Sequence, residues 1–113
     1  MTIGDEHMKL GIVISTNDIE ATWNAFRLAN YSKKEGDEVK IFLVGKAVEY
    51  ENASTDKFPA KTEAEKFVAS GGTILACGTC LKLRNSKGDA LCPLSTLKDF
   101  YDVVKGSDKV VSF

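Results

Sequence analysis

Four short apolar runs punctuate the chain, and the helix-patterned stretches between them limit the fold more than any other feature. The runs are KLGIVIS at 9–15, VKIFLV at 39–44, TILA at 73–76 and KVVSF at 109–113. Each is rich in Val, Ile or Leu and short enough to be a buried strand. After the first run, Asn17 is placed to cap a helix with Glu20 as its capping-box partner. Ile19, Trp23 and Phe26 share a face of that helix, and Gly36 ends it. The second gap predicts a short helix over 47–50 and a loop over 52–59. A second helix then opens at Thr62 with Glu65, carries Phe67 and Val68, and stops at Gly71-Gly72. The third gap predicts a short helix over 79–84, a polar loop over 85–89 and a brief extended piece at Ala90 and Leu91. Pro93 and Ser95 then introduce a final helix that ends at Gly106. Leu97, Phe100, Tyr101 and Val104 lie on one face of it. Trp23, Phe26, Phe67, Phe100 and Tyr101 are spaced as helical core residues. Strands that alternate with helices predict an α/β fold: a parallel sheet of four to five strands covered on both faces.

With 113 residues the chain fits one domain, 1–113, with residues 1–8 read as a flexible tail. The sequence holds 15 Lys and Arg against 16 Asp and Glu, a formal net charge of -1. Such a balance gives no field to draw nucleic acid or an anionic membrane. No apolar run has the length of a membrane-spanning helix. Asp5 and Glu6 make the first residues unlike a secretory signal. Three cysteines, an odd number in a chain with ample core, argue against a secreted disulfide framework. The location expected is the reducing cytoplasm.

The sharpest motif is Cys77-Gly78-Thr79-Cys80, which leaves a strand and opens a helix. Ligands of open α/β sheets bind outside the carboxyl ends of the strands. A thiol at a helix start loses its proton more readily, and the thiolate is the nucleophile. Gly78 permits close approach of a substrate, Thr79 sits between the two thiols, and Arg84 could add positive charge. A buried cysteine can also be a small hydrophobe. Two of them around Gly-Thr at a strand end favour Cys77 as nucleophile and Cys80 as a candidate resolving thiol. Cys92 would lie in a second loop on the same sheet edge, either as a further thiol or as packing. Ser15 and Asn17 follow the first strand on that edge, where they could line the site or simply cap the helix. Structural zinc needs four ligands, and His7, the single histidine, is a poor fourth beside the three cysteines, so no metal is expected. A thioredoxin-like dithiol is the other reading of this spacing. There, however, the motif falls in an early βα unit and the proline leads into a strand. Neither a dinucleotide fingerprint nor a P-loop is present, so no cofactor is expected.

From Lys9 to Phe113 the chain resembles the DsrE/DsrF-like family, which includes TusD-type sulfur-relay subunits. The resemblance is carried by KLGIVIS with its following helix, by ACGTCLKLR at 76–84, and by DFYDVVKGSDKVVSF at 99–113. It implies a three-layer α/β/α sandwich. It also implies a sulfur carrier or sulfurtransferase-like subunit, with sulfur held as a persulfide on the residue matching Cys77. Donor and acceptor proteins and a trimeric or hexameric homo-oligomer go with that picture. Two features depart from the family pattern: Cys80 is an extra thiol, and Asn85 stands where many members have Gly. The same fold also serves non-catalytic oligomer subunits and small-ligand binding modules. Together with a thiol-redox protein, these are the alternatives the sequence leaves open.

Overall fold

The computed structural model describes residues 7–83 and 94–113. Among them the chain runs β1 (Lys9–Ile14), α1 (Ile19–Lys34), β2 (Glu38–Leu43), a 3-10 turn (Gly45–Glu49), α2 (Tyr50–Ala53) and α3 (Ala60–Ala69). It continues with β3 (Thr73–Cys77), α4 (Gly78–Leu83), β4 (Leu94–Ser95), α5 (Leu97–Gly106) and β5 (Lys109–Ser112). The described strands form one sheet in the order β4-β3-β2-β1-β5, and every pairing is parallel. Thus the sheet and its helices take the arrangement predicted from the alternating pattern. A short fifth strand is described at Leu94–Ser95, whereas the extended piece expected at Ala90 and Leu91 lies outside the described residues.

Strand alternation divides the sheet into two faces. Leu10, Ile12 and Ile14 of β1, Val39, Ile41 and Leu43 of β2, and Ile74 and Ala76 of β3 are buried in one cluster with Phe26, Tyr50 and Phe67. That face is covered by α1, α2 and α3. The intervening residues point the other way, toward α5. Phe42 stacks on Phe100 at 4.5 Å between ring centroids. Gly11 lies so close to Ser107 and Val103 that a Cβ there would collide with Ser107. The two faces follow from the direction of the connections. From β1 to β4 the chain steps steadily one way, and right-handed crossovers keep the helices on one side. From β4 it returns to the far edge to form β5, so the same handedness puts α5 on the opposite side. The result is the three-layer α/β/α sandwich.

Three local readings are corrected, all at helix starts. The cap of α1 is Asp18, whose carboxylate accepts from the Glu20 amide at 3.0 Å and the Ala21 amide at 3.4 Å, while Asn17 is exposed and does not cap. Helix α3 begins two residues before Thr62, after Pro59 and without a side-chain cap, so the Thr62–Glu65 box does not form. Helix α5 starts after Thr96, which forms a reciprocal capping box with Asp99; Ser95 belongs to β4. In α1 and α5 a polar residue one place away satisfies the free amides, because neighbouring Ser, Thr, Asn and Asp compete for the same role. The expected core helix face also changes. Phe26 and Phe67 are buried, and Trp23 packs at the core margin, but Tyr101 is 59% exposed and Leu97 82% exposed. Val103 is the α5 residue that is buried.

The amino end is tied in from Met8 onward. The Met8 amide donates to Asp37 Oδ1 at 2.9 Å, and Ser32 Oγ donates to Asp37 Oδ2 at 2.6 Å. These bonds hold the Asp37 carboxyl below the usual carboxylate range, the Ser32 hydroxyl contributing most.

Candidate functional site

Cys77 is the last residue of β3, and α4 begins at the next residue. Its register partner across the sheet is Ser95, the last residue of β4. The two strands leave this point in opposite directions. The chain beyond β3 enters α4, whose Leu81 joins the α1–α3 core, whereas the chain beyond β4 enters α5 on the other face. Divergent exits from neighbouring parallel strands open a crevice at the carboxyl edge, the usual place for a ligand in this kind of sheet. Cys77 stands at that crevice.

The surroundings of Cys77 are built from its own turn. Its Sγ accepts the Cys80 amide at 3.5 Å, as a cap side chain does for the third residue of a helix. Partial burial pushes the Cys77 thiol up. The Cys80 thiol, the Cys80 amide and the Thr79 amide all donate toward it and outweigh burial, leaving it below the ordinary cysteine range. Gly78 is half-buried as the first helical residue, and Thr79 is exposed. Cys80 has a second tether: its Sγ accepts the Gly45 amide at 3.2 Å. Gly45 leaves β2 at φ 57°, a left-handed conformation that suits glycine. Neither Cys77 nor Cys80 is in a disulfide, and both are partly buried.

Gly45 directly follows the second apolar run. Its amide is the contribution that sequence reasoning missed, and no motif announces it, because it reaches Cys80 from 35 residues away. Ser15 lies on the same edge, since a Cβ on Gly45 would sit 3.7 Å from the Ser15 carbonyl oxygen. Its hydroxyl donates to the Phe113 carbonyl at 3.1 Å, which ties the end of β1 to the chain end beyond β5. The structure therefore brings Cys77, Gly78, Thr79, Cys80 and Ser15 to one edge. Asn17 is exposed on the loop after β1. Arg84 and Cys92 lie outside the described residues. Among the described residues no three His, Cys, Asp or Glu side chains converge as metal ligands. No described helix is long and apolar enough to cross a membrane.

Fold and site together define a parallel α/β/α domain with a two-cysteine turn at a strand end. The family model for the DsrE/DsrF-like family matches residues 8–113, and the chain belongs to that family. A protein of Methanopyrus kandleri, uncharacterized protein MK0008, is 35% identical over 100 residues, covering 83% of each chain. Uncharacterized protein MJ0989 of Methanocaldococcus jannaschii is 32% identical over 114 residues, covering 94% of this chain and all of its own length. Among solved structures, the ychN protein of E. coli superposes with a TM-score of 0.77 at 18% identity, over 95% of this chain and 99% of its own. BT1422 of Bacteroides thetaiotaomicron, a conserved protein of unknown function, gives 0.73 at 23% identity over 93% and 94%. These likenesses establish the fold.

Proposed function

We propose that the protein is a sulfur carrier that holds sulfur as a persulfide on Cys77. The observation that carries this reading is the Cys77 thiol itself. It stands at the strand-end crevice with three donors directed at its sulfur, and its pKa is lowered despite partial burial. A thiol with a lowered pKa presents more thiolate, and that thiolate can attack the outer sulfur of a donor persulfide and keep it. Attack on that outer sulfur by an acceptor thiol then completes the relay. Membership in the DsrE/DsrF-like family supports the reading, since sulfur-relay subunits share this fold. Donor and acceptor are proteins bearing reactive thiols, and the working compartment is the cytoplasm.

The carrier works as a homo-oligomer in this reading. Leu97, Tyr101 and Val104 on α5 are exposed apolar side chains that form the walls of an open recess with Phe100. An uncovered apolar surface of this kind on a small domain favours association with a second copy. Intact-mass measurement after incubation with a persulfide donor tests the carrier reading. At the earliest time points the protein should gain one sulfur atom, mapped to Cys77, and Cys77→Ser should gain none. Uptake on Cys77→Ser equal to wild type overturns the assignment.

A further inference from the structure

A single-thiol carrier leaves Cys80 unexplained. Its amide and its thiol both donate toward Cys77, and its own sulfur accepts the Gly45 amide at 3.2 Å. A cysteine used only as a small hydrophobe needs none of these bonds. The Gly45 tether fixes the Cys80 sulfur from a second strand exit. Residues three apart on a helical turn have Cα atoms about 5 Å apart, within the roughly 4.4–6.8 Å that a disulfide spans. We propose that Cys80 resolves the persulfide formed on Cys77, so that the cargo leaves as inorganic sulfide. This inference rests on the carrier reading above.

The step balances without an outside oxidant. Cys77 carries the outer sulfur as Sγ–SH. The Cys80 thiol gives its proton to water, and the thiolate attacks Cys77 Sγ. A bond forms between the two cysteine sulfurs, and the bond from Cys77 Sγ to the outer sulfur breaks. The outer sulfur departs as HS⁻ with the bonding pair and its proton. It is thereby reduced by two electrons, while the two cysteine thiols become a disulfide. A dithiol reductant then exchanges with that disulfide, returns both thiols and is itself oxidised to a disulfide. Attack on the inner sulfur separates this step from relay to an acceptor, which takes the outer one. The extra thiol thus makes the protein a sulfide-releasing carrier that needs a reductant for each turnover.

The test loads the reduced full-length protein with cysteine hydropersulfide, removes the excess, and reads intact mass, peptide links and free sulfide. Wild type should finish two hydrogens lighter than the reduced protein, with Cys77 linked to Cys80 and sulfide released. Cys80→Ser and Cys80→Ala should each retain one added sulfur on Cys77 and lose sulfide release. Wild type that holds its persulfide as long as these variants do overturns the resolving role and leaves the carrier reading intact. A link from Cys77 to Cys92 in place of Cys80 overturns it in the same way. Failure of both Cys80 variants and wild type to gain any sulfur overturns the carrier reading, and the resolving step with it.

Discussion

The two faces of the sheet are built to different standards. On the α1–α3 side Phe26, Tyr50 and Phe67 close over Ile12, Ile41 and Ile74, and all are buried almost completely. On the α5 side one ten-residue helix covers the sheet through Phe100 and Val103, while its Leu97, Tyr101 and Val104 face outward. Burial of this extent is what stabilises a small domain, so the first face carries most of the folding free energy. Alternation along β3 puts Leu75 and Cys77 on the second side, opposite Ile74 and Ala76. Cys77 therefore belongs to the less finished face, where a ligand or a second copy can still find surface. A domain that filled both faces equally would have less room for either.

Truncation should separate the faces most clearly. Phe67→Ala opens a hole in the filled face and should cost about 3–5 kcal/mol. Phe100→Ala removes a partly exposed ring stacked on Phe42 and should cost about 1–3 kcal/mol. Urea unfolding of both variants decides the matter, and equal losses would break the comparison. Added volume should tell the same story at smaller scale. A Cβ on Gly72 would run into the Phe67 ring, whereas at Gly106, the end of α5, it meets nothing within 4 Å. Gly72→Ala should thus lose about 1–3 kcal/mol. Gly106→Ala should gain up to about 1 kcal/mol, by restricting the unfolded chain. Thermal melts of the two variants should move in opposite directions.

The outward side of α5 should respond in association rather than in stability. Leu97→Lys should change the unfolding free energy by no more than about 0.5 kcal/mol, and light scattering should show a smaller particle than wild type. An unchanged particle size would move the contact elsewhere. The finest distinction concerns the thiol. Because the Cys77 pKa is lowered, its thiolate persists to lower pH than that of an ordinary cysteine, and alkylation slows only as pH falls through the lowered value. The midpoint of the rate against pH should lie below that of an ordinary exposed cysteine. Cys80→Ala removes the largest stabilising donor and should move that midpoint upward; a downward shift would refute the assigned cause. Asp37 supplies a parallel check on stability. Its folded pKa is depressed, so its contribution is present above the unfolded value near about 3.9 and disappears as pH falls through the folded one. Asp37→Asn should flatten that part of the stability profile in acid unfolding.

Strand positions were legible because each run carries its own β-branched, apolar signature. Helix existence was legible too, but the starts were not. Asn17, Thr62 and Ser95 were reasonable caps by residue type. Asp18 and Thr96 hold the role instead, and Pro59 precedes α3 without a cap bond. A cap is chosen by where the chain turns, and the turn depends on how the helix must reach the sheet. The α5 stripe failed for a related reason. Its periodicity marks an apolar band over Leu97, Phe100, Tyr101 and Val104. Helix α5 meets the sheet through Phe100 and Val103, so Leu97, Tyr101 and Val104 of the band look outward.

The sequence by itself determined a parallel α/β domain and the position of Cys77 at the end of a strand. Both are written in local patterns that neighbouring residues satisfy together. Only the tertiary structure decided that Gly45 holds Cys80, that Ser95 is the register partner of Cys77, and that the exits of β3 and β4 diverge. Those facts depend on strand order and on the side to which each crossover returns. Such choices are settled by packing between segments far apart in the chain, and no single segment records them.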